Sequence, residues 1–137
     1  MAFFIGVFLA LTVSLFATQV GFDRERSFYA TVLIVIGALY GLFAVMGGSS
    51  HSLKQELIGT AFFVFLSVLG FKFNPWFLVA GLFGHGVFDL FHPHLITNAG
   101  VPVWWPMFCS AYDITAAGYL AALLWRSKRH GPRSEDV

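Results

Sequence analysis

Five side chains able to bind metals or transfer protons lie within two otherwise apolar stretches of the chain. His85, Asp89 and His92 belong to the first stretch. Cys109 and Asp113 belong to the second. At about 100° per residue, Asp89 lies about 40° round a helix from His85, and His92 lies about 20° the other way. One helix is therefore expected to present two imidazoles and a carboxylate on one face, and a second helix a thiol and a carboxylate.

This set of residues predicts a metal site inside a membrane. Two histidines and two carboxylates are ligands typical of zinc and non-haem iron, so the predicted metal ligands are His85, Asp89, His92 and Asp113. In a catalytic site, zinc would favour hydrolysis and iron would favour oxidation of a lipophilic substrate that arrives from the bilayer. Asp89, Asp113 and Cys109 are the candidate catalytic residues.

Other interpretations of the same residues remain open at this level. His85, Asp89 and Asp113 can hydrogen-bond one another and simply join two helices, as expected of an accessory subunit of a larger membrane complex. Chains of aspartate and histidine inside membranes also mark proton-coupled carriers. A nucleophilic Cys109, with His85 as base and Asp113 as orienting group, fits the logic of a catalytic triad.

The connection between the two stretches, residues 93–106, is uncharged and contains three prolines. This composition predicts a structured cap over the site, with Asn98 in a turn. We expect Asn98, Trp104 and Trp105 to contact a substrate at the mouth of the site. Glu56 is expected to begin the third helix, where it would complement the helix dipole. Three further residues are candidates to complete the site: His51, Glu56 and His94.

The pattern of these residues resembles that of an uncharacterised family of small bacterial integral-membrane proteins. The residues that carry the resemblance are His85-x3-Asp89-x2-His92, Asn98, Pro102 and Cys109-x3-Asp113. It covers residues 84–121, the last two predicted helices. The family has no assigned activity, so the resemblance implies that these residues act together and does not supply a reaction.

The composition of the chain places these residues in a membrane protein. Of its 137 residues, 58% are hydrophobic, 11% are charged and 17 are phenylalanine. A chain of this length has too little interior to hide that much apolar surface, which must therefore face lipid. A single cysteine excludes an intramolecular disulfide scaffold. The net charge of +1 disfavours nucleic-acid binding.

The charged residues delimit five apolar segments, because a spanning helix needs about 20 apolar residues. The sequence predicts an all-α bundle of five transmembrane helices over residues 1–125, followed by a basic, mobile cytoplasmic tail, 126–137. The predicted helices are 2–20, 27–46, 55–72, 75–92 and 106–125. Two alternatives are four spans with a re-entrant third segment and a cleaved signal peptide in place of the first helix.

The predicted helix ends place the two polar helices in register. Asp113 lies about 10 Å inside its helix from Pro106, and His85 about 9 Å inside its own helix from Phe91, at 1.5 Å per residue. The connection returns the chain antiparallel, so the two depths match. We therefore expect His85 to meet Asp113 and Asp89 to approach Cys109.

The basic residues predict an inner-membrane protein with its N-terminus outside and its C-terminus in the cytoplasm. In that orientation seven of the eight lysine and arginine residues are cytoplasmic, and Lys54 is the one that lies outside.

Four glycines on the helices offer close-packing faces, which predict self-association or docking into a larger complex. These glycines are Gly37, Gly41, Gly81 and Gly84. The other expected partners are the lipid bilayer and a lipophilic small molecule.

Fusion of topology reporters after Arg133 tests this orientation. We expect a cytoplasmic readout, because the basic residues stay on the cytoplasmic side of a membrane. A periplasmic readout would contradict the orientation and would move the predicted site to the opposite membrane face.

Overall fold

The computed structural model describes residues 1–129, which form five α-helices and a short 3-10 turn at Phe22–Arg24. The helices are α1 (Ala2–Val20), α2 (Ser27–Met46), α3 (Ser50–Lys72), α4 (Trp76–Leu95) and α5 (Trp105–Arg129). The predicted all-α class is confirmed. The bounds of α1 and α2 agree with the prediction, because Gly21 ends the first helix in a left-handed conformation and Gly47 ends the second.

The third helix begins at Ser50, earlier than predicted. The Ser49 side chain accepts a hydrogen bond from the Ser52 backbone N–H, which caps the helix at this point. Glu56 therefore lies in the second turn, and the prediction that it begins the helix was wrong. α3 is continuous over 23 residues, which is about 34 Å of helix. It is long enough and apolar enough to cross a membrane once.

The last two helices are also longer than predicted. Pro93 does not end α4, because the Ile96 N–H still reaches the His92 carbonyl oxygen at 3.0 Å. α5 continues to Arg129, so the first residues of the predicted tail are helical. The rest of that tail, 130–137, lies outside the described residues.

Four of the five helices are long and apolar enough to cross a membrane: α1, α2, α3 and α5. α4 does not reach the same hydropathy because it contains His85, Asp89 and His92, all of which are buried. Large apolar side chains cover the outside of the bundle, and Phe4 and Phe8 are each 73% exposed. Such a surface suits lipid rather than water and is consistent with a membrane protein.

Helix α4 lies at the centre of the arrangement and packs against α5, α3 and α2, while α1 packs along α5. The face that α1 turns inward consists of small residues, Gly6, Ala10, Ser14 and Ala17. A side chain at Gly6 would overlap the Phe108 carbonyl oxygen of α5. Small residues at this spacing allow helix backbones to approach closely, which is how helices associate in lipid.

The glycines predicted to serve self-association are mostly used within the chain. A Cβ at Gly37 would meet Phe63, one at Gly41 would meet Leu53, and one at Gly81 would meet Leu33. A Cβ at Gly84 would meet nothing within 4 Å. Self-association remains a prediction, and three of the four glycines no longer support it.

Substitution Gly6→Ala tests the contact between α1 and α5. We expect a loss of about 1–3 kcal/mol in the free energy of unfolding, because the added methyl group must displace backbone. Thermal unfolding in detergent, followed by circular dichroism, measures the change. Gly118→Ala is the matched control, because a Cβ at Gly118 meets nothing within 4 Å, and it should be neutral or stabilising. Equal effects of the two substitutions would contradict close packing at Gly6.

Candidate metal centre

Four chemically reactive side chains meet between α4 and α5, and we call them the inner group: His85, Asp89, Cys109 and Asp113. Each can offer one ligand atom, and these atoms all lie within 4.8 Å of one another. The four residues are between 0% and 3% exposed. The inner group is therefore compact enough to surround one ion.

His85 is the centre of the contacts within the inner group. Its Nδ1 atom lies 2.7 Å from Asp113 Oδ2 and 3.4 Å from Asp89 Oδ2. The Cys109 thiol points to Asp113 Oδ2 at 3.8 Å. The predicted contact between His85 and Asp113 is confirmed, as is the matching depth of the two helices.

Gly86 explains how the two helices come close enough for this contact. A Cβ at Gly86 would lie 3.1 Å from the Ser110 carbonyl oxygen and 3.2 Å from Asp113 Cβ. Both distances are tighter than ordinary van der Waals contact. The missing side chain therefore lets α5 approach α4 next to His85, which brings the Asp113 carboxylate onto the imidazole.

Tyr40 of α2 is a further member of the site that the sequence analysis did not identify. Its hydroxyl donates a hydrogen bond of 2.7 Å to Asp89 Oδ1. A buried tyrosine hydroxyl usually finds a partner, so a tyrosine within an apolar segment was the available signal. Phe63 of α3 packs edge-on against His85, with ring centroids 4.6 Å apart. The inner group is thus enclosed by α2 and α3 as well.

His92 does not join the inner group, although the sequence predicted it as a metal ligand. Two helical turns separate it from His85, about 10 Å along the axis, which is too far for one ion. Its Nε2 atom instead lies 2.8 Å from Glu56 Oε1, and both residues are 2% exposed. We call Glu56 and His92 the outer pair. The structure gives the buried glutamate a partner on α4 rather than a role at the helix end.

The connection between α4 and α5 forms an ordered cap beside the outer pair. Asn98 makes the predicted turn, with its carbonyl oxygen accepting from the Val101 N–H at 3.2 Å. The Asn98 amide donates to Glu56 Oε1 at 2.8 Å and to the Tyr40 carbonyl oxygen at 3.1 Å. Ser52 donates to the Thr97 carbonyl oxygen at 2.6 Å. Asn98 thus holds the cap in place, and its predicted contact with a substrate stays a prediction.

The remaining predicted site residues lie farther from the inner group. Trp105 packs edge-on against Phe43, with ring centroids 4.9 Å apart. Trp104 is 54% exposed. His51, in the first turn of α3, and His94, in the last turn of α4, are both exposed and belong to neither cluster.

The bundle buries more carboxylates than basic side chains that could balance their charge. Glu56, Asp89 and Asp113 are buried with His85 and His92, and no lysine or arginine is buried within residues 1–129. Asp113 Oδ1 is buried and has no hydrogen-bond partner there, and Asp89 Oδ2 has only the contact of 3.4 Å with His85 Nδ1. A buried anionic oxygen without a partner is costly, so this site requires an added proton or a cation.

Comparison of the chain with known families, curated proteins and solved structures finds no match. The resemblance of residues 84–121 to small bacterial membrane proteins therefore stays a resemblance. The function must be inferred from the geometry of the site.

Substitution Tyr40→Phe tests the hydrogen bond to Asp89. We expect the free energy of unfolding to fall by about 1–3 kcal/mol, because the substitution leaves a buried carboxylate oxygen without its donor. Chemical denaturation in detergent measures the change. Tyr29→Phe is the matched control on the same helix, since the buried Tyr29 hydroxyl makes no hydrogen bond to a carboxylate among residues 1–129. An equal or larger loss for Tyr29→Phe would show that the Tyr40 contact contributes little.

Proposed function

We propose that this protein binds one divalent transition-metal ion in the middle of its helix bundle. The inner group supplies the ligands: His85 Nδ1, the Cys109 thiolate and one oxygen from each of Asp89 and Asp113. The observation that carries the proposal is the excess of buried carboxylate in a group whose ligand atoms lie within 4.8 Å of one another. A divalent cation balances the charge of the two carboxylates, and the Cys109 thiolate leaves the occupied site with one net negative charge.

The ligand types favour zinc over the other common ions. Zinc accepts thiolate, imidazole and carboxylate together, and it prefers four ligands in a tetrahedron. Magnesium and calcium prefer oxygen ligands and more of them. Iron accepts the same nitrogen and oxygen donors and is the second choice.

Binding of the ion requires small movements and the loss of protons. Ligand atoms around tetrahedral zinc stand about 3.3 Å apart, because the metal–ligand bonds are about 2.0 Å long. His85 Nδ1 and Asp113 Oδ2 are 2.7 Å apart, which is a hydrogen-bond distance. The ion would therefore replace the proton between them and move them apart by less than about 1 Å.

The four-residue ligand set favours holding an ion over catalysis. A catalytic zinc ion keeps one position open for water, whereas four protein ligands fill the tetrahedron. Hydrolysis or oxidation of a lipophilic substrate, with Asp89, Cys109 or Asp113 in a catalytic role, would need one ligand to leave. The burial of all four residues supports a metal-binding or metal-transfer protein first.

We propose that all five helices cross the inner membrane, as the sequence predicts, with the C-terminus in the cytoplasm. Helix α4 has 20 residues, about 30 Å of helix, which is the thickness of a bilayer core. Of its four strongly polar residues, His85, Asp89 and His92 are buried inside the bundle, and His94 is exposed in the last turn. A lower hydropathy is therefore compatible with a fourth spanning helix that turns its polar face toward α2, α3 and α5.

A proton-coupled carrier is the second candidate, and the position of Tyr40 favours it. The Tyr40 hydroxyl contacts Asp89, and the Tyr40 ring stacks on His92 with ring centroids 3.8 Å apart. Tyr40 thus places the inner group next to the outer pair. If the protein is such a carrier, we expect its substrate to enter vesicles at a rate that depends on pH, and we expect Asp89→Asn to abolish this transport.

Metal analysis of the purified protein tests the main proposal. We expect about one zinc ion per chain after dialysis against zinc, and thermal stabilisation by about 2.7 kcal/mol when free zinc is 100 times its dissociation constant. His85→Ala and Asp113→Ala should each lose the ion, because each removes a ligand. His94→Ala is the matched control, since this histidine is exposed on the same helix and should keep full occupancy.

A content below about 0.1 ion per chain, in folded wild-type protein purified without chelator, would refute the proposal. The inner group would then join α4 and α5 by hydrogen bonds, as in an accessory subunit. In that case Asp113→Asn should lower stability without removing any activity.

A further inference from the structure

A cavity of about 320 Å³ lies between the cap and the adjoining ends of α4 and α5. It has room for several water molecules. Backbone and side chains of the cap form most of its wall, including Thr97, Asn98 and Pro102. His92 contributes the ionisable side chain of this wall. A hydrated cation that occupied the cavity would therefore meet an imidazole.

The carboxylate nearest to that imidazole is Glu56. The outer pair is joined at 2.8 Å, and the Asn98 amide, whose residue also lines the cavity, donates to the same Glu56 oxygen. Glu56 and His92 are each 2% exposed, so His92 presents only a small part of its surface to the cavity, and Glu56 lies behind it. Together they offer a nitrogen and an oxygen donor, the ligand types that zinc accepts.

The outer pair and the inner group are neighbours through Tyr40. The Tyr40 ring covers the His92 ring, and its hydroxyl reaches Asp89 Oδ1. Asp89 and His92 are also one turn apart on the same face of α4. A cation that left the outer pair would find its next oxygen ligand on Asp89.

The opposite end of the bundle holds a larger cavity, of about 720 Å³, but no buried histidine or carboxylate of the described residues lies in its wall. Below His85 on α4, the buried side chains are Leu78 and Leu82. Beyond Asp113 on α5, they are Ala116, Ala117 and Leu120. The buried histidine, aspartate and glutamate side chains thus extend from the inner group toward the cap and not away from it.

We propose that the outer pair, Glu56 and His92, is a transient binding site through which a divalent metal ion passes from the cavity beneath the cap to the inner group. This inference rests on the proposed metal site and adds its route of access. The outer pair accelerates loading and unloading of the inner group without being part of its final ligand set.

Stopped-flow loading of the full-length, metal-free protein with cobalt(II) tests the route. Cobalt reports arrival at the inner group, because a Cys109 thiolate bound to cobalt gives a charge-transfer absorption. We expect Glu56→Gln and His92→Gln to slow loading by about tenfold or more, equivalent to about 1.4 kcal/mol of barrier. Chelator-driven release should slow by the same factor, so the affinity and the final spectrum stay unchanged.

Two further variants separate the route from general effects on the fold. His94→Gln is the matched control, because His94 is exposed and lies two residues from His92 on α4. It should load at the wild-type rate. Ala99→Trp places a large side chain at an exposed position of the cavity wall and leaves both ionisable clusters intact. It should slow loading as the outer-pair variants do.

The outcomes distinguish this inference from the proposed function. Loading of the wild type with unchanged rates in Glu56→Gln, His92→Gln and Ala99→Trp would overturn the route and leave the metal site standing. A lower cobalt stoichiometry or an altered spectrum in folded Glu56→Gln would also overturn it, by making the outer pair a permanent ligand. Failure of the wild type to bind cobalt or zinc would refute the metal site itself.

Discussion

The burial of charge without water is the constraint on which the rest of this structure depends. Three carboxylates lie inside the bundle, and each is 0–2% exposed. An ionised group at that depth is costly unless a partner reaches it. The partners come from different helices: Tyr40 from α2 for Asp89, His92 from α4 for Glu56, and His85 from α4 for Asp113. These contacts set the rotation and height of four helices relative to one another. Helix α1 contributes no such partner and packs through small residues instead.

Close approach of the helices makes these contacts possible. An apolar side chain gains little free energy when it moves from lipid to the surface of a neighbouring helix, because both surroundings are apolar. Helix association in a membrane therefore relies on tight packing and hydrogen bonds. Gly86 brings α5 against α4 beside His85, and Gly81 provides space for Leu33 of α2. Replacing either glycine by a larger residue would separate helices at the level where the polar side chains must touch. The small residues and the polar residues of this chain thus depend on one another.

The proposed metal site uses the same arrangement. In that proposal, side chains that share protons in the metal-free protein offer a nitrogen, a sulfur and two oxygen ligands to a cation. The cap places a cavity and the outer pair on the side of the inner group where the other buried ionisable side chains lie. The ordering of the cap by Asn98 and Ser52 therefore belongs to the site as much as to the fold. A mobile connection would not hold Glu56 against His92.

The sequence by itself determined the elements and their depths. The ends of α1 and α2 follow from glycines and charges, and the contact of His85 with Asp113 follows from the helical rise along two antiparallel neighbours joined by a short connection. Helix rotation was not available from the sequence, because depth along an axis does not say which face turns inward. Packing alone therefore decided that Tyr40 meets Asp89, that Glu56 meets His92, and that Cys109 rather than His92 completes the inner group. His85 and His92 share a stripe on α4, yet one ion cannot span two helical turns, and the second histidine found its partner on α3 instead.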